Sequence, residues 1–185
     1  MGKELTLILG GVRSGKSAFA VSLAKKMGDR VVFVATAEAG DEEMRRRIEQ
    51  HRRARPPGWR TLEAPAGVGE ALQAEMRRAE VVIVDCLTLL VANVMAEERD
   101  SGPRAAARVA GEVGSLLERF ADGTASMIVV SNEVGMGVVP AYASGRQYRD
   151  LLGTANQLIA RVADRVYWMV GGLPVEVKAS GMAES

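Results

Sequence analysis

Leu5-Thr6-Leu7-Ile8-Leu9-Gly10-Gly11-Val12-Arg13-Ser14-Gly15-Lys16-Ser17 is the stretch from which the fold is read. Its first five residues form a short, mostly apolar run of strand type, and residues 10–17 fit G-x-x-x-x-G-K-[ST]. Beyond it Phe19, Leu23 and Met27 recur at helical spacing until Gly28, a typical helix terminator. Strand, glycine-rich turn and helix are the context in which this motif binds phosphate. The glycines let the backbone turn tightly so that its N–H groups face an anion, and the helix N-terminus adds a favourable dipole. Lys16 is then placed to reach the β- and γ-phosphates of a nucleotide, and Ser17 to offer its hydroxyl to Mg²⁺. The plainer reading, a glycine-rich turn with a solvated lysine, has the flanking strand and helix against it.

Working outward, further apolar, β-branched runs lie at 31–35, 81–84, 127–130 and 166–170, separated by segments long enough for helices. This alternation predicts an α/β fold. The runs are nearly continuous in apolar residues, as when helices cover both faces of a mostly parallel central sheet. Residues 171–174 join 166–170 to a last run at 175–177 by a connection short enough for a hairpin, which predicts an antiparallel C-terminal edge strand. Helices are expected over 17–27, 41–53, 68–78, 87–95, 104–120 and 146–163. The second of these has acids in its first turn, i,i+4 pairs at Glu42/Arg46, Glu43/Arg47 and Glu49/Arg53, and a stop at Pro56-Pro57-Gly58. The polar stretch 97–103 is the least structured connection. Residues 1–178 are expected to form one domain and 179–185 a flexible tail.

Composition narrows the function. The 185 residues suit a single core, and 24 Lys+Arg against 23 Asp+Glu give a net charge of +1. That charge supplies no global field for nucleic acid or an anionic membrane, so anion recognition must be local. Cys86 is the single cysteine, which excludes a disulfide framework and points to a reducing, cytoplasmic setting. No apolar run approaches the roughly 20 residues that span a bilayer, and the few residues before the first strand are too short for a signal-peptide core.

Two further features bear on chemistry. A metal-bound nucleotide needs a second anionic contact, and Val81-Val82-Ile83-Val84-Asp85 ends in one; Asp85 reads either as that metal partner or as a cap for the helix beginning near Cys86. Cys86 itself reads as a small core residue. His51, the single histidine, falls seven residues after Met44 and three after Ile48 on the narrow apolar stripe of the second helix, facing inward or into a cleft. Arginines at 45–47, 52, 53 and 55 make this the most basic stretch of the chain. A neutral imidazole there could attack phosphorus while guanidinium groups stabilise the departing pyrophosphate. On periodicity alone a satisfied, partly buried histidine is the better reading, and the arginines have their own plain alternative, a solvated face paired with its own acids.

Taken together, the phosphate loop, His51-Arg52-x-x-Arg55-Pro56-x-x-Trp59-x-Thr61-x-Glu63, Asp85-Cys86-Leu87-Thr88 and Ser131-Asn132-Glu133-Val134-Gly135-Met136-Gly137 resemble the bifunctional adenosylcobinamide kinase/adenosylcobinamide-phosphate guanylyltransferase family. The likeness covers most of the chain. The loop alone is shared by many nucleotide-binding proteins, whereas the ordered combination is specific. Val12 departs from the alanine common at that place.

The resemblance implies a single-domain P-loop NTPase-like (RecA-like) fold and two reactions in cobalamin biosynthesis. Adenosylcobinamide is phosphorylated on its aminopropanol hydroxyl with ATP or GTP, and GMP is then transferred from GTP to adenosylcobinamide phosphate, giving adenosylcobinamide-GDP and pyrophosphate. It implies that His51 becomes guanylylated, which reverses the reading from periodicity. It also implies nucleotide binding by the loop (Gly10, Gly11, Val12, Arg13, Ser14, Gly15, Lys16, Ser17), by Ala35, Thr36 and Ala37, by Arg52, Arg53, Ala54 and Arg55, and by Glu63 and Asp85. Mg²⁺ would be held by Ser17 and Asp85, with Lys16 and His51 catalytic, in a cytoplasmic homotrimer. The competing readings are a phosphate-loop kinase of another small alcohol, with a structural His51, and a GTP-dependent binding protein in which the loop acts as a switch.

Overall fold

In this computed structural model residues 2–53, 55–98 and 102–181 are described, Arg47 and His51 by their backbone alone. The apolar runs become β1 (Leu5–Gly10), β2 (Val31–Ala35), β4 (Val81–Asp85), β5 (Ser126–Val130) and β6 (Arg165–Val170), with β3 (Arg60–Glu63) and β7 (Leu173–Lys178) at the two edges. They form one seven-stranded sheet in the order β3-β2-β4-β5-β1-β6-β7. All neighbours are parallel except β6 and β7. This is the P-loop-NTPase-like α/β arrangement expected from the sequence.

Strand alternation divides the core in two. Leu5, Leu7, Val82, Val84, Met127 and Val129 face α3 (Val68–Leu72), α4 (Leu87–Glu97), α5 (Gly102–Asp122) and α6 (Ala143–Val162). On the other face Ile8, Phe33, Ile83 and Ile128 pack with Ala20 and Ala24 of α1 (Lys16–Met27). The strands are apolar on both sides because both sides are covered. Helix α2 (Glu42–Arg53) differs: among the described residues it contributes none to either apolar cluster. Its start is fixed locally, the Asp41 carboxylate accepting the Met44 N–H at 2.7 Å. Glu42–Arg46 (3.4 Å) and Glu49–Arg53 pair as the spacing suggests; the Arg47 side chain lies outside the described atoms.

Three expectations change. The sequence reading contains no strand at 60–63, yet these residues pair in parallel with β2, from Val32↔Arg60 to Ala35↔Glu63. The helix expected over 68–78 stops at Leu72. From there the chain tightens through i→i+3 bonds, Glu75 N–H to the Leu72 carbonyl and Arg78 N–H to the Glu75 carbonyl, both at 2.9 Å. This turn buries Glu75, whose carboxylate holds Arg60 of β3 at 2.8 Å. The last strand begins at Leu173 rather than 175, because Gly171 and Gly172, with φ of 57° and 86°, complete the hairpin turn by themselves. In the connection 97–103, α4 reaches Glu97 and α5 starts at Gly102, and residues 99–101 lie outside the described chain.

The topology places a crevice. From β1 the chain passes to α1 on one face of the sheet, whereas from the neighbouring β5 it passes to α6 on the other. Connections that part to opposite faces leave a cleft at the carboxyl ends of the strands, where open α/β sheets bind ligands.

Candidate active site

Residues 10–17 bridge β1 and α1 at that edge. Gly10 adopts φ +152°, and a Cβ on it would lie 2.8 Å from both the Met169 carbonyl oxygen and Ser14 Oγ; no other residue fits. Gly15 has φ +93° and Arg13 φ 57°, so the loop reverses twice within three residues. Helix α1 has neither an acid in its first turn nor a side-chain cap, leaving its positive end directed at the loop. Ser14 Oγ is buried with no hydrogen-bond partner. Lys16 is buried, and its ammonium donates to the carbonyls of Gly10 (3.1 Å) and Gly11 (2.6 Å). Burial lowers its pKa, against the opposing influence of Cys86 and Asp85. Ser17 is half-buried on the first turn of α1.

Asp85 closes β4, between Ala35 of β2 and Val130 of β5 in the register. The N-cap position of α4 belongs to Cys86, one residue further on, and carries no side-chain cap bond. Thr36 locks this corner. Its hydroxyl accepts the Cys86 N–H and donates to the Cys86 carbonyl, both at 2.7 Å, and its own N–H reaches the Asp85 carbonyl at 3.2 Å. The Asn93 amide then joins the Thr36 and Pro65 carbonyls, at 2.8 and 3.0 Å. Thr36 is fully buried, so within Ala35-Thr36-Ala37 its side chain serves this crosslink. The Cys86 thiol, desolvated and beside Asp85, has its pKa pushed up to about 11, in keeping with a core residue rather than a nucleophile.

Arg55 brings the basic segment onto the sheet. Its guanidinium stacks 3.6 Å from the Phe33 ring centroid, and Nη1 donates to Thr61 Oγ1 at 3.1 Å. Burial lowers its pKa, Asp85 and Glu63 oppose that, and Nε is buried with no hydrogen-bond partner. An arginine so placed holds a desolvated donor ready for an anion. Arg52 pairs with Glu63 at 2.5 Å on the exposed rim, and Arg53 pairs with Glu49 along α2. Ala54 and the His51 side chain lie outside the described atoms; the His51 backbone is in the last turn of α2, four residues before Arg55.

The edge therefore gathers the phosphate loop, Lys16, Asp85, Arg55 and Glu63. Ser17 and Asp85 are hard oxygen donors suited to Mg²⁺. Among the described residues no group of three His, Cys, Asp or Glu side chains could hold a metal. A two-donor set fits an ion that takes its remaining ligands from nucleotide phosphates and water.

The sequence reading quoted Ser131-Asn132-Glu133 without assigning a role. In the fold the Ser131 and Glu133 N–H groups bond the Ile8 and Gly10 carbonyls at 2.9 and 3.3 Å, so this segment lies against the phosphate loop. Thr88 Oγ1 accepts the Asn132 N–H at 2.8 Å, and Asn156 donates to the Asn132 carbonyl at 3.1 Å. Thr88 is quoted in the sequence only as part of its motif and the buried Asn156 not at all, because only their partners in space give them a purpose.

Comparison with known proteins agrees with this geometry. A family model described as cobinamide kinase / cobinamide phosphate guanyltransferase matches residues 6–177. The chain is 44% identical over 172 residues to the bifunctional adenosylcobalamin biosynthesis protein CobP of Pseudomonas aeruginosa, covering 93% of this chain and 96% of that one. It is 37% and 33% identical to the bifunctional adenosylcobalamin biosynthesis proteins CobU of Escherichia coli and Salmonella typhimurium, covering 94% of this chain and 99% of each.

Proposed function

The chain belongs to the cobinamide kinase / cobinamide phosphate guanyltransferase family, and from that premise we propose that it phosphorylates adenosylcobinamide with ATP or GTP and then transfers GMP from GTP to the product through His51. The observation that carries this reading is the meeting, at one sheet edge, of the Lys16 loop with Asp85 and with Arg55, four residues beyond His51.

For the kinase step the loop amides and Lys16 hold the β- and γ-phosphates while the cobinamide hydroxyl attacks the γ-phosphorus in line; the bond from that phosphorus to the β-phosphate oxygen breaks, the nucleoside diphosphate leaves, and the hydroxyl loses its proton as the phosphate ester forms. Ser17 and Asp85 would hold Mg²⁺, which supplies charge neutralisation between the phosphates. In the second reaction a neutral ring nitrogen of His51 attacks the α-phosphorus of GTP, the bond to the β-phosphate oxygen breaks, and pyrophosphate leaves. A phosphate oxygen of adenosylcobinamide phosphate then displaces the histidine nitrogen. A difficult anion-on-anion reaction is thus divided into two displacements. Arg55 and Arg52 neutralise charge on the phosphates. Nucleotide contacts from Ala35, Ala37, Arg53, Ala54 and Glu63, a homotrimeric assembly and a cytoplasmic location belong to the same reading; no described helix is long and apolar enough to cross a membrane.

Incubation with α-labelled GTP tests it. The wild-type protein is expected to take up an acid-labile, alkali-stable label with release of pyrophosphate, and His51→Ala none, while retaining kinase activity. Label persisting on His51→Ala, or equal loss of both activities, refutes the covalent role.

A further inference from the structure

Resting on that reading, in which a cobinamide arm presents its hydroxyl at the phosphate loop, we propose that the uncharged loop 135–142, with Val12 at the tip of the phosphate loop, is the surface on which the corrin macrocycle lies. The hydroxyl hangs from the ring by a short amino-alcohol arm, so the ring must rest on the rim within an arm's length of the γ-phosphate. The rim is divided by chemistry. Toward β2, β3 and β4 it carries Asp85, Arg55, Arg52 and Glu63, which suit a polyanionic nucleotide. Where the chain leaves β5 it turns apolar: a quarter of the protein is charged, yet nothing between Glu133 and Arg146 is. Here Met136 (81%), Val138 (95%), Val139 (59%) and Tyr142 (81%) stand exposed, as does Val12 (74%). Monomeric soluble domains rarely display such a group of apolar side chains without a ligand or partner for it.

This surface is held in place. Its approach is bonded to β1 and the phosphate loop through Ser131 and Glu133. At its start the Glu133 carboxylate accepts the Gly135 N–H at 2.5 Å, and at its end Arg146 Nη1 donates to the Pro140 and Ala141 carbonyls at 3.0 and 2.7 Å. Pinned at both ends, it presents its side chains with little ordering cost on binding. A methyl-studded ring bordered by uncharged carboxamides matches it, whereas a phosphate or a nucleic acid does not. The other exposed apolar stripe, Leu173, Val175 and Val177 of β7, lies at the outer sheet edge, two strands from β1.

The test is steady-state kinase kinetics of Met136→Ser/Val138→Ser beside the conservative Met136→Leu/Val138→Ile, with sedimentation of each. Both side chains are exposed, so the fold is not at stake. The expected result is a rise of about tenfold in KM for adenosylcobinamide, with KM for GTP and the sedimenting species unchanged and near-wild-type kinetics in the conservative variant. An unchanged KM for adenosylcobinamide overturns the inference. So does an equal rise for both substrates together with a smaller sedimenting species, which would mark the loop as a subunit contact. Failure of the wild-type protein to phosphorylate adenosylcobinamide refutes the proposed function itself, is read before any variant is compared, and removes the corrin surface with it.

Discussion

Replacing Thr36 by Val keeps the shape of the side chain and removes its hydroxyl, which accepts the Cys86 N–H and donates to the Cys86 carbonyl. The two losses are unequal. The Cys86 carbonyl still accepts the Leu90 N–H at 3.2 Å, so it forfeits one bond of about 1 kcal/mol. The Cys86 N–H is left facing a methyl group of the fully buried residue 36, at a cost of about 1–2 kcal/mol. The sum, about 2–3 kcal/mol, corresponds to a fall in Tm of roughly 5–10 °C for a chain of this length. Because the same corner fixes the end of β4, the slack is expected to reach the Asp85 carboxylate and raise KM for Mg-GTP several-fold at temperatures where the variant is folded. Urea denaturation gives the first quantity, kinase kinetics the second, and Thr36→Ser, which restores the hydroxyl, should recover most of both. A Thr36→Val protein within 0.5 kcal/mol of wild type would show that the hydroxyl bears no weight at this junction, and the account of how Asp85 is held would fail.

Lys16→Ala should lower the kinase rate by about two to three orders of magnitude, as for loss of one preorganised charged donor at a reacting group; single-turnover phosphorylation checks it, and an unchanged rate contradicts the role of the loop lysine. Asp85→Asn should shift the Mg²⁺ titration of turnover to higher concentration; an unaltered titration returns Asp85 to a structural role. For Cys86 the pKa near 11 means that the neutral thiol dominates throughout the neutral range and the reactive thiolate grows only as pH rises toward 11. Alkylation at pH 8 should therefore be far slower than for a free thiol and should accelerate at higher pH; rapid labelling at pH 7 would refute the burial argument.

The sequence alone determined whatever depends on neighbours along the chain. Eight consecutive residues dictate the phosphate-loop motif, since its turn needs Gly10 and Gly15 and runs straight into the end of the following helix. The central strands were legible because burial on both faces demands unbroken apolar runs, and the second helix because its cap and ion pairs are local. Tertiary structure decided whatever depends on contacts between distant segments. Strand β3, a four-residue edge strand with a single apolar residue, Leu62, exists through its pairing with β2 and the Arg60–Glu75 bridge, and neither is written in its own pattern. Asp85 read as metal partner or helix cap, and only the fold shows that the N-cap position of α4 falls to Cys86; Thr36 offered no sign that its hydroxyl ties two strands together. Periodicity follows from the backbone's own repeat, whereas a partner fifty residues away is fixed only once the sheet has chosen its order.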